Sequence, residues 1–183
     1  MYGIVNKAIE EMVVSLGGED KWHEVCREAG IDVFTFIAQE KYPDEVTYKL
    51  VAASSKIFGI CPHTVLMKFG AHWSKYTGKE GYGYLFKMLG EDLMTFLENL
   101  PALHDHIALI FPDLIMPRFE STRVSPTEIK VLYRSSRPGL ASMVHGLLDG
   151  MADVYETKVA VQHTRKKDPT FDADEFVVTI LQH

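Results

Sequence analysis

The change in hydrophobic periodicity after Pro112-Asp113 is the feature that most constrains this fold. Before it, apolar residues recur at helical spacing, as in residues 1–16. After it come short runs rich in β-branched and aromatic residues, and residues 128–134 alternate apolar and polar positions. The sequence therefore predicts an α+β fold, in which a helical N-terminal part precedes an antiparallel sheet that carries helices.

Glycine and proline mark the expected ends of the elements. Helices are predicted over residues 1–16, with a stop at Gly17-Gly18, and over residues 19–29, 33–39, 44–58, 62–76 and 140–155. Strands are predicted over residues 118–124, 128–134, 158–164 and 175–181. The length of 183 residues suits a single domain with a core large enough to enclose a cofactor.

Charge and cysteine content argue against several classes of protein. The net charge is −6 and no stripe of Lys and Arg appears, so we expect no nucleic-acid partner. The only basic run, residues 165–167, is interpreted as a solvated hairpin end. Cys26 and Cys61 are too few for a disulfide framework or a Cys-rich zinc site. With no signal peptide or long apolar span, the sequence predicts a protein of the reducing cytoplasm with no membrane partner.

A row of hydrogen-bond donors is predicted where Tyr133, Ser135 and Arg137 alternate with other residues. In a strand, side chains two positions apart project from the same face. A phenol, a hydroxyl and a guanidinium would then lie side by side, and the guanidinium fork suits a carboxylate or phosphate. The solvent-exposed face of a half-buried strand would give the same pattern, so the row alone is weak support for an anion site.

A single histidine lies on the apolar stripe of the preceding helix. His104 shares this stripe with the following residues: Leu100, Leu103, Ile107, Ala108 and Phe111. His106 lies two positions on, about 200° around the helix, so the two rings cannot bind one metal ion together. A core histidine can be purely structural, but a neutral imidazole in an apolar wall is also what axial ligation of heme iron needs.

These motifs occur together in one known family. A heme needs an axial histidine, an apolar pocket and an anion clamp for its two propionates. From its first residues, MYGIVN, through LHDH at 103–106 and the Tyr133-x-Ser135-x-Arg137 row to the last strand, the chain resembles the heme nitric oxide/oxygen-binding (H-NOX) domains. That family includes the heme domain of the soluble guanylate cyclase β subunit. The resemblance implies one domain over residues 1–183, with heme between a helical subdomain of residues 1–65 and a second subdomain of residues 66–183.

The resemblance also implies roles for particular residues. His104 would be the proximal ligand of non-covalently bound heme b, and Tyr133, Ser135 and Arg137 would hold the propionates. Pro117 would press on the porphyrin and distort it. The other residues expected around the heme are Ile4, Val5, Ile9, Trp73, Leu103, Leu140, Met143, Val144 and Leu147.

Gas selectivity is expected to depend on the distal side. An oxygen-binding family member typically carries a tyrosine on the helix after the Tyr-x-Ser-x-Arg segment. The matching position is Met143, or Ser142 if the register slips by one residue. Since methionine offers no proton, we expect binding of NO and CO with little stable oxygen complex. The alternative is an O2-binding or redox-responsive heme protein of the same fold.

The family suggests a switch rather than an enzyme. NO would weaken the bond trans to it, the iron would part from His104, and the heme would relax against Pro117 and Ile4/Val5. The helix that carries His104 would then shift and signal in trans to an effector such as a histidine kinase or a diguanylate cyclase. Pro101 lies either inside that helix, at a cost of about 3 kcal/mol or more for the lost backbone hydrogen bond, or in the first turn of a new helix with Asn99 as N-cap. The second placement is favoured, although the sequence does not decide.

Two competing hypotheses involve no heme. In one, the chain is an enzyme with His104 as general base and Tyr133 and Arg137 as an oxyanion or phosphate clamp, although no nucleophile is visible. In the other, it is a protein-interaction module without a cofactor.

Overall fold

The computed structural model describes residues 1–32, 35–77, 83–110 and 115–182. The helices are α1 (Gly3–Ala29), α2 (Asp44–Phe58), α3 (Pro62–Thr77), α4 (Gly83–Leu89), α5 (Leu93–Ile110) and α6 (Ala141–Val154). The strands are β1 (Arg118–Ser125), β2 (Glu128–Arg134), β3 (Lys158–Arg165) and β4 (Asp174–Gln182). They form one antiparallel sheet in the order β1-β2-β4-β3. The predicted α+β fold is confirmed.

The sheet follows the alternation read from the sequence, and each strand ends within one residue of its prediction. Every second residue of β2 and β4 is buried on one face, namely Ile129, Val131 and Tyr133 of β2 and Phe176, Val178 and Ile180 of β4. Antiparallel strands with one covered face produce this pattern. Tyr133 is the last of the buried β2 residues, so it lies at the end of the strand where the chain turns away.

α1 contains the break predicted at Gly17-Gly18. Gly18 has φ 82° and ψ 175°, and the helix continues beyond this kink to Ala29. Gly30 then ends the helix in the left-handed conformation, φ 64°, and its amide donates to the carbonyl of Arg27. Glycine adopts these positive φ values without the steric cost that other residues have.

The prediction of a short helix over residues 33–39 is wrong for residues 35–39. Val33 and Phe34 lie outside the described residues, and residues 35–39 are not helical. The carbonyls of Ala38 and Glu40 instead accept hydrogen bonds from Ile4 and Gly3, at 3.0 and 2.8 Å. This segment therefore satisfies the first amides of α1, which have no partner within their own helix.

Two buried clusters make up the interior. The first is built from α1, α2 and α3, and the second from α4, α5, α6 and the sheet. The first cluster continues along α3 as far as Tyr76, so the subdomain boundary near residue 65 remains a prediction. α3 and α6 join the clusters by a very close crossing: a Cβ on Gly146 would lie 1.9 Å from the carbonyl oxygen of Met67.

α2 and α3 meet at a sharp corner. Gly59 ends α2 with φ 64°, and the amide of Ile60 donates to the carbonyl of Ser55. Pro62 begins α3, where its missing amide costs no intrahelical hydrogen bond. Within the described ranges no single helix is long and apolar enough to cross a membrane, and only α2 with α3, bent by 111°, meets that test as a pair.

The expected position of Pro101 at the start of a new helix is wrong. Pro101 lies inside α5, and the Asn99 side chain donates to the carbonyl of Leu89, 2.7 Å away, instead of capping a helix. Asp92 precedes α5 and caps it, since its carboxylate accepts from the Thr95 amide at 2.8 Å. The apolar residues around the proline, Leu97 and Leu100, are almost fully buried. Their burial offsets the cost of about 3 kcal/mol for an interior proline.

The glycine crossing leads to a stability prediction. Gly146→Ala should lower the free energy of unfolding by about 1–3 kcal/mol, because the added methyl group forces two helix backbones apart. Gly17→Ala is the control, since its close neighbours are side-chain atoms of Lys21 and Phe58, which can shift. Urea unfolding of the three proteins measures the difference, and equal stability of Gly146→Ala and wild type would contradict the close crossing.

Candidate functional site

A cavity of about 320 Å³ lies between the two buried clusters. Its size is within the range of about 300–1,000 Å³ that is usual for cofactor sites. Most of its wall is apolar, and polar groups collect at one end, where Tyr48, Tyr133, Ser135 and Arg137 lie. The cavity therefore suits a largely apolar ligand with an anionic edge.

Thirteen of the fourteen residues that the sequence predicted around the cofactor line this cavity. They are Ile4, Val5, Trp73, Leu103, His104, Pro117, Tyr133, Ser135, Arg137, Leu140, Met143, Val144 and Leu147. They come from four helices, one strand and the segments that join them. Ile9, the fourteenth, lies one turn beyond Val5 on α1, where it is fully buried in the first cluster and does not line the cavity.

The His104 imidazole is held in one orientation. Its Nδ1 lies 3.1 Å from the carbonyl oxygen of Leu100, one turn earlier in α5. A carbonyl only accepts hydrogen bonds, so Nδ1 carries the proton and Nε2 keeps its lone pair. Burial lowers the pKa of His104, although the Leu100 carbonyl and Asp105 act in the opposite direction. The ring is thus a neutral imidazole, which is the form that binds a metal ion.

Phe119 supports this ring and was missed by the sequence analysis. The His104 and Phe119 rings stack at 4.9 Å with an interplanar angle of 26°. Phe119 also contacts Tyr133, its partner in the β1–β2 pairing, at a ring distance of 5.3 Å. Two ring contacts, one stacked and one tilted at 42°, therefore connect the histidine with the polar end of the cavity. Phe119 is buried in β1, a position typical of core packing, so no sequence signal set it apart.

The row of donors does not lie on one strand as predicted. β2 ends at Arg134, and Ser135 and Arg137 lie in the turn that follows. The chain turns there because the Ser135 hydroxyl accepts a hydrogen bond from the Arg137 amide at 3.0 Å. Burial raises the pKa of Tyr133, and a hydrogen bond with Ser135 offsets part of the rise. The phenol thus remains a proton donor at neutral pH, and the three side chains still meet at the cavity.

Asp44 is a second residue that the sequence analysis missed. It lies in the first turn of α2 and accepts from Arg137 Nε at 2.7 Å, while Arg137 Nη1 donates to the Ile115 carbonyl at 2.8 Å. Burial alone would raise the pKa of Asp44, but hydrogen bonds from the Met1 ammonium group and Arg137 outweigh it and lower the pKa. The carboxylate therefore stays charged and ties Arg137 to the helical N-terminal part.

The structure places Met143 and Ser142, the two candidate distal positions on α6, in different surroundings. Met143 lines the cavity, whereas the Ser142 hydroxyl lies 2.6 Å from His63 Nδ1, outside it. Ser74 also reaches the cavity, but its hydroxyl donates to the carbonyl of Leu147 at 3.0 Å. Its proton is already in use, so this wall presents mainly apolar groups.

The residues fit a heme. They supply one neutral imidazole, apolar walls, and donors for carboxylates at one end. In the part of the chain that the structure describes, no group of three or more His, Cys, Asp or Glu side chains converges on a metal site. An isolated metal ion would therefore have His104 as its single strong protein ligand here, whereas a macrocycle brings four further ligands of its own.

The comparison with known families agrees with this donor set. A family model described as haem-NO-binding matches residues 2–163. The chain belongs to this family. The match covers α1 through most of β3 and includes His104 and the donors at the end of the cavity.

Curated relatives of this H-NOX chain are cyclases of greater length. Soluble guanylate cyclase gcy-31 of Caenorhabditis elegans is 26% identical over 163 residues, which cover 88% of this chain and 23% of that protein. The soluble guanylate cyclase subunit beta-2 of Rattus norvegicus is 33% identical over 98 residues, 53% of this chain and 14% of that protein. The chain thus spans about a quarter or less of these relatives, and they are cyclases through other domains.

Solved structures share the fold of this H-NOX chain. An H-NOX protein from S. oneidensis in the Fe(II)NO ligation state superposes with a TM-score of 0.88 at 17% identity, with full coverage of both chains. An oxygen-binding H-NOX domain related to soluble guanylate cyclases, in its oxygen complex, gives 0.82 at 18% identity and covers 100% of this chain and 96% of that one. H-NOX domains bind heme, and this fold is that of a sensor domain. Since both gas-binding types share it, the fold alone does not select the gas.

The buried histidine leads to a prediction about pH. The pKa of His104 is lowered from its usual 6.5, so the unfolded chain binds a proton more readily than the folded one. Stability without heme should therefore fall as the pH drops below about 6.5 towards the folded pKa. His104→Leu should reduce this slope. Urea unfolding of both proteins between pH 7.5 and 5 tests it, and an unchanged slope would contradict a neutral, buried His104.

Proposed function

We propose that this chain is a heme-based sensor that binds NO and CO at ferrous heme b and forms little stable oxygen complex. The observation that carries the proposal is the single imidazole in the cavity wall, with Nδ1 bonded to the Leu100 carbonyl and Nε2 left as a ligand. His104 would hold the heme, and the heme would supply an iron centre that binds a diatomic gas.

The chain's own residues have separate roles in this proposal. His104 provides the axial ligand, and Phe119 keeps its ring in place. Tyr133, Ser135 and Arg137 bind the propionates as hydrogen-bond donors at the polar end of the cavity. Pro117 and the side chains of Ile4 and Val5 form a rigid wall that sets the shape of the macrocycle.

Gas selectivity depends on whether the wall formed by α6 and α3 offers a hydrogen-bond donor to the bound gas. A bound oxygen molecule carries partial negative charge and is stabilised by a proton donor, whereas NO and CO need none. Met143, Val144 and Leu147 offer no proton, and the Ser74 hydroxyl is bonded to a main-chain carbonyl. The Trp73 indole on α3 also lines the cavity and has an N–H to donate, and its proposed role is steric. This wall therefore favours NO and CO over oxygen.

The proposed signal is a shift of α5 when His104 is released from its ligand position. α5 packs against α4 and β1, so its movement would reach the surface through those elements. A switch from 1:99 to 99:1 between two conformers needs about 5.5 kcal/mol of differential ligand binding. The chain would act without chemistry of its own, on an effector in trans such as a histidine kinase or a diguanylate cyclase.

An O2-binding or redox-responsive heme protein is the second candidate, and the oxygen-binding structure with the same fold favours keeping it. Absorption spectra of the anaerobically reduced protein, then with NO, CO and air in turn, separate the two. A five-coordinate NO complex, a CO complex and no stable oxygen complex are expected. A lasting oxy-ferrous spectrum in air would support the second candidate instead.

His104→Gly should remove the axial ligand, and imidazole added to the buffer should restore the wild-type ferrous spectrum. His106→Gly is the matched control, because it places the same helix-weakening substitution on the exposed side of α5 and should leave the spectrum unchanged. An unchanged spectrum for His104→Gly would remove His104 from the heme site.

A donor placed on the α6 wall should change the gas preference. Met143→Tyr is expected to give a stable oxygen complex, because a hydrogen bond to a charged group contributes about 1.5–3 kcal/mol, or roughly tenfold or more in affinity. Met143→Leu and Ser142→Tyr are the controls, the second because Ser142 faces His63. Oxygen binding measured by absorption should be stable for Met143→Tyr alone, and equal oxygen binding by Ser142→Tyr would contradict the assignment of the wall.

A further inference from the structure

The basic run of residues 165–167 was interpreted as solvated, but its first and last residues make different contacts. The Arg165 guanidinium lies over the Phe171 ring, 3.9 Å from its centroid. The Lys167 ammonium group instead donates to the main-chain carbonyl of Ser135 at 3.0 Å. Ser135 lines the cavity and Lys167 does not, so the Lys167 ammonium group lies just outside the polar end of the cavity. No local sequence pattern predicts this contact, because 32 residues separate the two positions.

The position of Lys167 is held by the backbone as well as by its side chain. Its amide donates to Asp174 Oδ1 at 3.2 Å, and Asp174 pairs with Tyr133 between β4 and β2. The next residue, Asp168, forms a closed turn with Phe171 through two backbone hydrogen bonds of 2.9 and 3.1 Å. The backbone at Lys167 is therefore held in place beside residues 133–135.

Arg137 alone is poorly placed to balance two carboxylates. Its Nε donates to Asp44 and its Nη1 donates to the Ile115 carbonyl, so only the remaining N–H groups of the guanidinium can bind a ligand carboxylate. Asp44 also puts a negative charge next to any incoming anion. The Lys167 ammonium uses one of its three donors on Ser135, and two remain. Asp172 lies close enough for the Lys167 charge to help lower the pKa of its carboxyl group, but the Asp172 carboxylate is hydrogen-bonded to Arg134, at 2.9 Å.

We propose that Lys167 is the second cation of the propionate site and stabilises one of the two heme carboxylates beside Ser135. The inference rests on the proposed heme function and assigns to this site a residue outside the Tyr-x-Ser-x-Arg segment. Lys167 acts by charge at an exposed edge, so its contribution is modest and depends on ionic strength.

The test measures heme dissociation into an excess of a high-affinity heme scavenger. Lys167→Gln should release heme about two- to fivefold faster than wild type at low salt, and the difference should disappear at about 1 M salt. Lys167→Arg should stay close to the wild-type rate. Lys166→Gln is the matched control, because it removes the same charge from the adjacent exposed residue.

A heme derivative without free carboxylates tests whether Lys167 acts through its charge or through the local protein structure. Iron protoporphyrin IX dimethyl ester has no free carboxylates, so Lys167→Gln and wild type should release it at the same rate. An unchanged rate for Lys167→Gln with heme, an equal effect of Lys166→Gln, or the same acceleration with the diester would each overturn the role of Lys167. Wild-type protein that takes up no heme would instead overturn the proposed function, and this inference with it.

Discussion

The close crossing of α3 and α6 is the contact on which the site depends. Gly70 and Gly146 face backbone atoms of the opposite helix, so the two helices meet without side chains between them. α3 belongs to the first buried cluster and α6 to the second, and the crossing therefore sets the distance between the clusters. The cavity is the space left beside this contact, and the wall on which Met143 and Leu147 lie is positioned by the same helix.

The polar end of the cavity is held by a different kind of interaction. Asp44 from α2 binds Arg137 from the turn after β2, and the Tyr48 hydroxyl donates to the Pro138 carbonyl at 3.0 Å. These contacts connect the helical part to the sheet at the edge where a ligand's carboxylates would lie. A ligand that draws Arg137 away from Asp44 would also loosen the link between the two parts, so the clamp couples binding to their relative position.

The histidine and the clamp are not independent. The rings of His104, Phe119 and Tyr133 form a stack that crosses from α5 through β1 to β2. Packed rings resist small displacements. In the proposed function, these ring contacts would therefore carry a movement of α5 at His104 to the polar end of the cavity.

Local sequence determined most of the elements and singled out the candidate site residues. Alternation in residues 128–134 specified a strand, glycines at 18, 30 and 59 specified breaks and ends, and a lone histidine on an apolar stripe specified a candidate ligand. These signals depend on neighbours within one or two turns, so they can be read without the fold. Only the tertiary structure decided that residues 35–39 satisfy the amides of α1 instead of forming a helix, and that Pro101 remains inside α5. It alone brought Asp44 to Arg137, Phe119 to His104 and Lys167 to Ser135, since only packing closes the sequence separation within each pair.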